Sequence, residues 1–184
     1  MRSPRLLAPL LAGLLALSGC DPASPDTFTF GVTGIRFTFQ FDGDEVNGGG
    51  APITAAEMKN LLGEIQDREF STADVVSIRL RDGSGQIRIL NAPPGTDIDF
   101  LDAVSLRLTA GGSAVEVASQ DDFGSMTGTM SGEAELDVTG ADIAPIVAAG
   151  DFGAELDVAA SAAEAGVTYR LETRFDVTVE VESP

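Results

Sequence analysis

Apolar and polar positions alternate without a break near the end of the chain. Val167, Tyr169, Leu171, Thr173, Phe175, Val177, Val179 and Val181 share one parity, and Thr168, Arg170, Glu172, Arg174, Asp176, Thr178 and Glu180 share the other. A period of two predicts a half-buried β-strand. At about 3.4 Å per residue it would run roughly 50 Å, enough to cross a whole domain as the central staple of a sheet. Residues 27–41 alternate twice. Phe28, Phe30 and Val32 lie on one parity and Ile35, Phe37, Phe39 and Phe41 on the other, with Thr33-Gly34 at the slip. A glycine at such a slip predicts a β-bulge or a bend between two short strands. Most of these phenylalanines are expected in the core, with Phe28 and Phe30 as the pair that could instead face lipid or a partner.

Between these two stretches the pattern changes period once. Thr54 and Glu57 have capping-box spacing, and Met58, Leu61, Leu62 and Ile65 follow at helical intervals. That predicts one amphipathic helix over about 54–67. Strand patterns resume with Val76, Ile78 and Leu80, then Ile87 and Ile89. The intervening Asp82-Gly83-Ser84-Gly85 predicts a hairpin turn. A second hairpin is expected around Gly111-Gly112, with Val104, Leu106 and Leu108 facing Val115 and Val117. Residues 120–132 read as a long polar loop in which Met126 and Met130 could cover an apolar groove. Residues 141–149 read as a short helical crossover. The pentapeptide Ala-Glu-Leu-Asp-Val occurs at 134–138 and 154–158, but two copies do not make a repeat fold. The elements together predict an all-β domain, a two-sheet antiparallel β-sandwich of about 7–9 strands.

Composition sharpens this by what it lacks. The 184 residues include no histidine and no tryptophan, with one tyrosine and one cysteine. Without histidine the usual general base is missing and zinc is disfavoured. Without tryptophan an aromatic sugar platform is weak. Net charge is −18, and beyond Arg2 and Arg5 the chain carries 29 acids against nine bases, a net of −20. Such a body is repelled by nucleic acid and by anionic headgroups. The acidic loop at 42–50 offers hard oxygen donors from Asp42, Asp44, Glu45 and Asn47, the ligand type calcium takes. Its spacing departs from the EF-hand loop, and acidic glycine turns also form without metal. Arg79, Arg81 and Arg88 share one strand face, where they could pair with acids or form a small anion site.

The amino terminus reads as an address. Arg2 and Arg5 precede twelve apolar residues, Leu6–Leu17, too short for a permanent membrane span, and Leu17-Ser18-Gly19-Cys20 follows. This stretch resembles a bacterial lipoprotein precursor with its lipobox. The resemblance implies signal cleavage between Gly19 and Cys20, a thioether-linked diacylglycerol on Cys20 and an acyl chain on the new amino terminus. The alternative is an ordinary secretory signal ending in a cysteine. The expected organisation is a signal peptide at 1–19, a lipidated cysteine and tether at 20–26, and a single domain at 27–184. Asp21 resembles the inner-membrane retention signal of enterobacterial lipoproteins, but sorting rules differ among bacteria. Inner and outer membrane, and the leaflet, stay open.

A second resemblance spans roughly residues 54–181. The helix, then Asp74-Val75-Val76-Ser77-Ile78-Arg79-Leu80, Asp99-Phe100-Leu101-Asp102-Ala103-Val104-Ser105-Leu106, Leu136-Asp137-Val138 leading to Asp142-Ile143, and the long terminal strand are similar to uncharacterised β-sandwich lipoproteins of bacterial envelopes. It implies a fold and brings no binding residues. The expectation for function is a lipid-anchored envelope protein with a non-enzymatic structural or interaction role and no resident cofactor. It would attach to the membrane through its lipid, would not bind nucleic acid, and could have a protein partner. The alternative is a protein that binds calcium or a cationic ligand through its acidic loops.

Overall fold

A computed structural model describes residues 26–46, 51–55, 57–58, 61–123, 132–150 and 152–182. Its architecture is an all-β sandwich of two antiparallel sheets. The organising element is the terminal strand, β11 (Thr168–Glu182). Its odd-numbered side chains from Tyr169 to Val181 are all buried, as the alternation predicts. One edge of β11 pairs along nearly its full length with β1 (Thr27–Asp42). The slip in β1 is a bulge between Val32 and Ile35, where Gly34 takes φ +69° and its N–H donates to Asp176 Oδ1 at 2.9 Å. The bulge lets one strand switch parity and keep Phe30 and Phe37 facing the same core.

The other edge of β11 departs from expectation. β4 (Val75–Leu80) pairs with Val177–Val181, and β5 (Gln86–Asn91) pairs with Arg170–Arg174. Both are antiparallel to β11, so they follow one another along it and do not form the hairpin expected between them. The Asp82–Gly85 segment is an interruption, not a reversal. Ser84 Oγ stands in for the missing ladder, accepting the Asp176 N–H at 3.1 Å and donating to the Arg81 carbonyl at 2.7 Å. In the turn before β4, the Ser71 hydroxyl and then its N–H donate to Asp74, at 2.6 and 2.8 Å, and hold that carboxyl below its usual range.

The second sheet has the order β2-β10-β6-β7-β9. β6 (Ala103–Ala110) and β7 (Ser113–Gln120) form the expected hairpin. Gly111 and Gly112 both have positive φ, the geometry whose twist suits a two-residue turn. β10 (Phe152–Ala159) pairs with β6 on one side and with β2 (Ala51–Thr54) on the other.

Two short segments close the sandwich by changing sheets. β2 lies on the edge of the second sheet, and β3 (Glu57–Met58) pairs with β1 on the edge of the first. On the opposite side β8 (Glu133–Glu135) pairs with β5, and β9 (Asp137–Val138) pairs with β7. These crossings bring the strands among the described residues to eleven, above the 7–9 expected, and β3 covers only Phe37 and Thr38 on the outer edge of β1. The β2–β3 crossing also displaces the expected helix start. Thr54 and Glu57 sit in strands, and the helix α2 spans only Leu61–Gln66, after a four-residue turn α1 (Gly43–Val46). Leu61 and Ile65 are nevertheless buried, one turn apart, as the stripe predicts. α3 (Ala144–Ala148) supplies the crossover, and its lead-in caps the free edge of β4. Ile143 N–H donates to the Ile78 carbonyl and Ile78 N–H to Asp142 Oδ1, at 2.8 and 2.9 Å.

The core lies between the sheets. Tyr169 stacks between Phe41 and Phe100, with centroids at 5.5 and 4.7 Å, and its hydroxyl accepts the Glu164 N–H at 2.9 Å. Among the described residues, Thr173 carries a core oxygen that lacks a partner. The residue is fully buried opposite Phe37 and Ile87, and its Oγ1 is without a hydrogen bond. An unpaired buried hydroxyl costs about 1–3 kcal/mol, and valine fills the same shape without it. Thr173→Val is therefore expected to raise the calorimetric unfolding midpoint, by about 2–6 °C.

Candidate functional site

Residues 1–25, which hold Gly19, Cys20 and the tether, lie outside the described residues, as do Asn47, Met126 and Met130. No helix among the described residues is long and apolar enough to cross a membrane. The described chain enters the fold at the end of β1, where Phe28 is 55% exposed and stacks on Phe70, which also stacks on the buried Phe30. Arg68 lies 4.8 Å above the Phe30 ring. Phe30 is thus core, as most of these rings were expected to be. Phe28 is not, because it lies one register step beyond Phe30, toward the strand end.

The carboxylates of the acidic loop are engaged one by one with backbone and hydroxyl donors. Asp42 Oδ1 accepts from Thr168 Oγ1 at 2.7 Å, and Glu45 Oε2 accepts the Asp42 N–H at 3.0 Å. Asp44 Oδ2 accepts the Gly166 N–H, also at 3.0 Å. The arrangement ties α1 to the turn that leads into β11. Among the described residues no three His, Cys, Asp or Glu side chains gather as a metal site.

The outer faces of the two sheets differ in charge. On the second sheet an open hollow of about 480 Å³ is lined by Glu116, Asp121, Asp137 and Asp157, with Ser105 donating to Glu116 at 2.8 Å. Arg107 pairs with Asp157 there. On the first sheet the registers assemble two rows of polar side chains. Arg36, Arg174, Gln86 and Glu135 follow one another across β1, β11, β5 and β8, and Thr38, Glu172, Arg88 and Glu133 form the adjacent row. The three arginines expected on one face are mostly committed. Arg88 pairs with the buried Glu172 at 2.8 Å, Arg81 lies 3.8 Å from Asp176, and Arg79 donates to the Gly140 carbonyl at 2.9 Å.

Sequence reading missed Arg36 and Arg174. Both fall on the outward parity of their strands, which the alternation already shows. Their apposition depends on the register of strands at opposite ends of the chain, and no local signal carries that. Compared with known proteins, the chain matches no family model and no curated protein.

Proposed function

We propose that this protein is a lipid-anchored component of the bacterial cell envelope, with a structural or binding role and no catalytic one. The observation that carries the proposal is the Leu17-Ser18-Gly19-Cys20 tetrapeptide at the end of a twelve-residue apolar stretch preceded by Arg2 and Arg5. A single acyl chain holds a protein only marginally, whereas several chains, at about 0.8 kcal/mol per buried CH2, anchor it stably. Cys20 is also the only cysteine, so it has no disulfide partner within the chain.

The fold is consistent with such an anchor. β1 begins at Thr27, and the six residues between Cys20 and that strand reach at most roughly 20 Å. The half-exposed Phe28 therefore stays close to the bilayer. With no histidine, and with the one cysteine assigned to lipid, the usual nucleophile and base pairings are absent from the sequence.

Cys20→Ser tests the anchor. The wild-type protein is expected in the membrane fraction, resistant to high salt and released by detergent. The variant should appear in the soluble fraction, with its membrane-bound share reduced by at least about tenfold. An unchanged distribution would reject the anchor, and turnover of an ester, glycoside or phosphate substrate by the purified protein would reject the non-catalytic role.

A further inference from the structure

Arg36 and Arg174 are directly opposed across β1 and β11. Both are exposed, and among the described residues neither has an ion pair or hydrogen bond. Like charges in directly opposite positions destabilise an antiparallel pair unless something neutralises them. The contrast with the rest of the chain is sharp, because acids outnumber bases by 29 to 11 and could have supplied a partner.

The two arginines open onto a cavity of about 130 Å³ that is also lined by Gln86, Arg88, Glu133 and Glu172. At about 30 Å³ for each water in the liquid, that volume matches roughly four waters, room for one small oxyanion group. Glu172 is already paired with Arg88, which leaves Arg36 and Arg174 as the cationic side chains at the cavity without a partner among the described residues. Arg174 and Gln86 also line the neighbouring hollow, which Arg81, Asp82, Ser84 and Asp176 border.

We propose that Arg36, Arg88 and Arg174, with Gln86, form a binding site for a phosphate group. Two unpaired guanidinium charges match a dianion, and the tetrahedral set of phosphate oxygens can accept donors from three strands at once. Glu133 and Glu172 limit the space and oppose a larger or more highly charged anion.

The test follows the arginine Nε–Hε resonances of the purified full chain in phosphate-free detergent solution. Inorganic phosphate is titrated at constant ionic strength, so that general screening stays fixed. The Arg36, Arg88 and Arg174 signals are expected to shift saturably, half-saturating at about 1 mM or below. Arg174→Gln should weaken this at least about tenfold. Arg79→Gln, outside the cavity, should not change it. Glycerol 3-phosphate in a parallel titration separates an esterified phosphate, which would then bind more tightly, from free phosphate. At low ionic strength without phosphate, Arg36→Gln is expected to raise the unfolding midpoint, by about 1–3 °C, because it removes the repulsion. Shifts that rise linearly, or that are the same in Arg174→Gln as in the wild type, would overturn the site. So would a lower midpoint for Arg36→Gln, which would make Arg36 a structural residue.

Discussion

Leu171→Ala is expected to destabilise the protein by about 2–5 kcal/mol, the range for a fully buried leucine whose cavity does not collapse. Leu171 is completely buried in the core between the sheets. It faces Phe39 across one edge of β11 and Ile89 across the other. Truncating it removes contacts with both flanking strands at once, so neighbouring side chains have little freedom to relax into the void. For a domain of this size the midpoint should fall by about 2–4 °C per kcal/mol. Leu90→Ala provides the contrast, because Leu90 on the neighbouring strand is 40% exposed and its truncation should cost less than about 1 kcal/mol. Thermal unfolding of the two variants side by side checks whether β11 is the staple of the fold or one strand among several.

Gly43→Ala is expected to cost about 3 kcal/mol, for a different reason. A Cβ at Gly43 would lie 2.1 Å from the Glu164 carbonyl oxygen and 2.8 Å from its carbon, both backbone atoms. The opposing turn has little freedom to retreat. The Gly43 N–H donates to the Val167 carbonyl at 2.8 Å, Gly166 N–H donates to Asp44, and Glu164 N–H donates to the Tyr169 hydroxyl. Any movement that makes room for a methyl group stretches bonds on both sides of the joint. Gly31→Ala is the control. The nearest atom to its added Cβ is the Val177 carbonyl oxygen at 3.8 Å, an ordinary contact. Alanine also reduces the freedom of the unfolded chain, so that variant should be neutral or slightly stabilising. Denaturant midpoints for the pair separate lost space from the general effect of replacing a glycine.

What could be read from the sequence depended on how local its cause was. The alternation from Val167 to Val181 marks the buried face of β11 because period two is a property of the strand alone. The β1 bulge was legible because the parity slip and Gly34 occur at one place, and Gly111-Gly112 specified its turn by itself. The Asp82–Gly85 segment carries the same turn signal, yet both of its flanks pair with one long strand far away in sequence. The outcome there is decided by β11 and by Ser84. Thr54 and Glu57 offer a capping box, but pairing of β2 with β10 and of β3 with β1 outweighs it, since helix propensity is weak beside tertiary pairing. The repeated Ala-Glu-Leu-Asp-Val is the plainest case. At 154–158 it lies within β10, with Leu156 in the core, and at 134–138 it bends from one sheet to the other around Leu136. Five identical residues take two roles because their neighbours in space differ.

The same distinction applies to the surface. The acidic loop was visible as composition, but the hydrogen bonds that join Asp42, Asp44 and Glu45 to residues 166–168 and to one another became visible only once β1 lay beside β11. The opposed pair of Arg36 and Arg174 arises from that same register.

The central claim concerns Cys20, and intact mass spectrometry of the membrane-extracted protein tests it most directly. The lipoprotein reading predicts a chain that begins at Cys20 and carries the mass of a diacylglycerol and one further acyl chain, a species absent from Cys20→Ala. An unlipidated chain cleaved elsewhere, or a Cys20→Ala product with the wild-type modification, would contradict it.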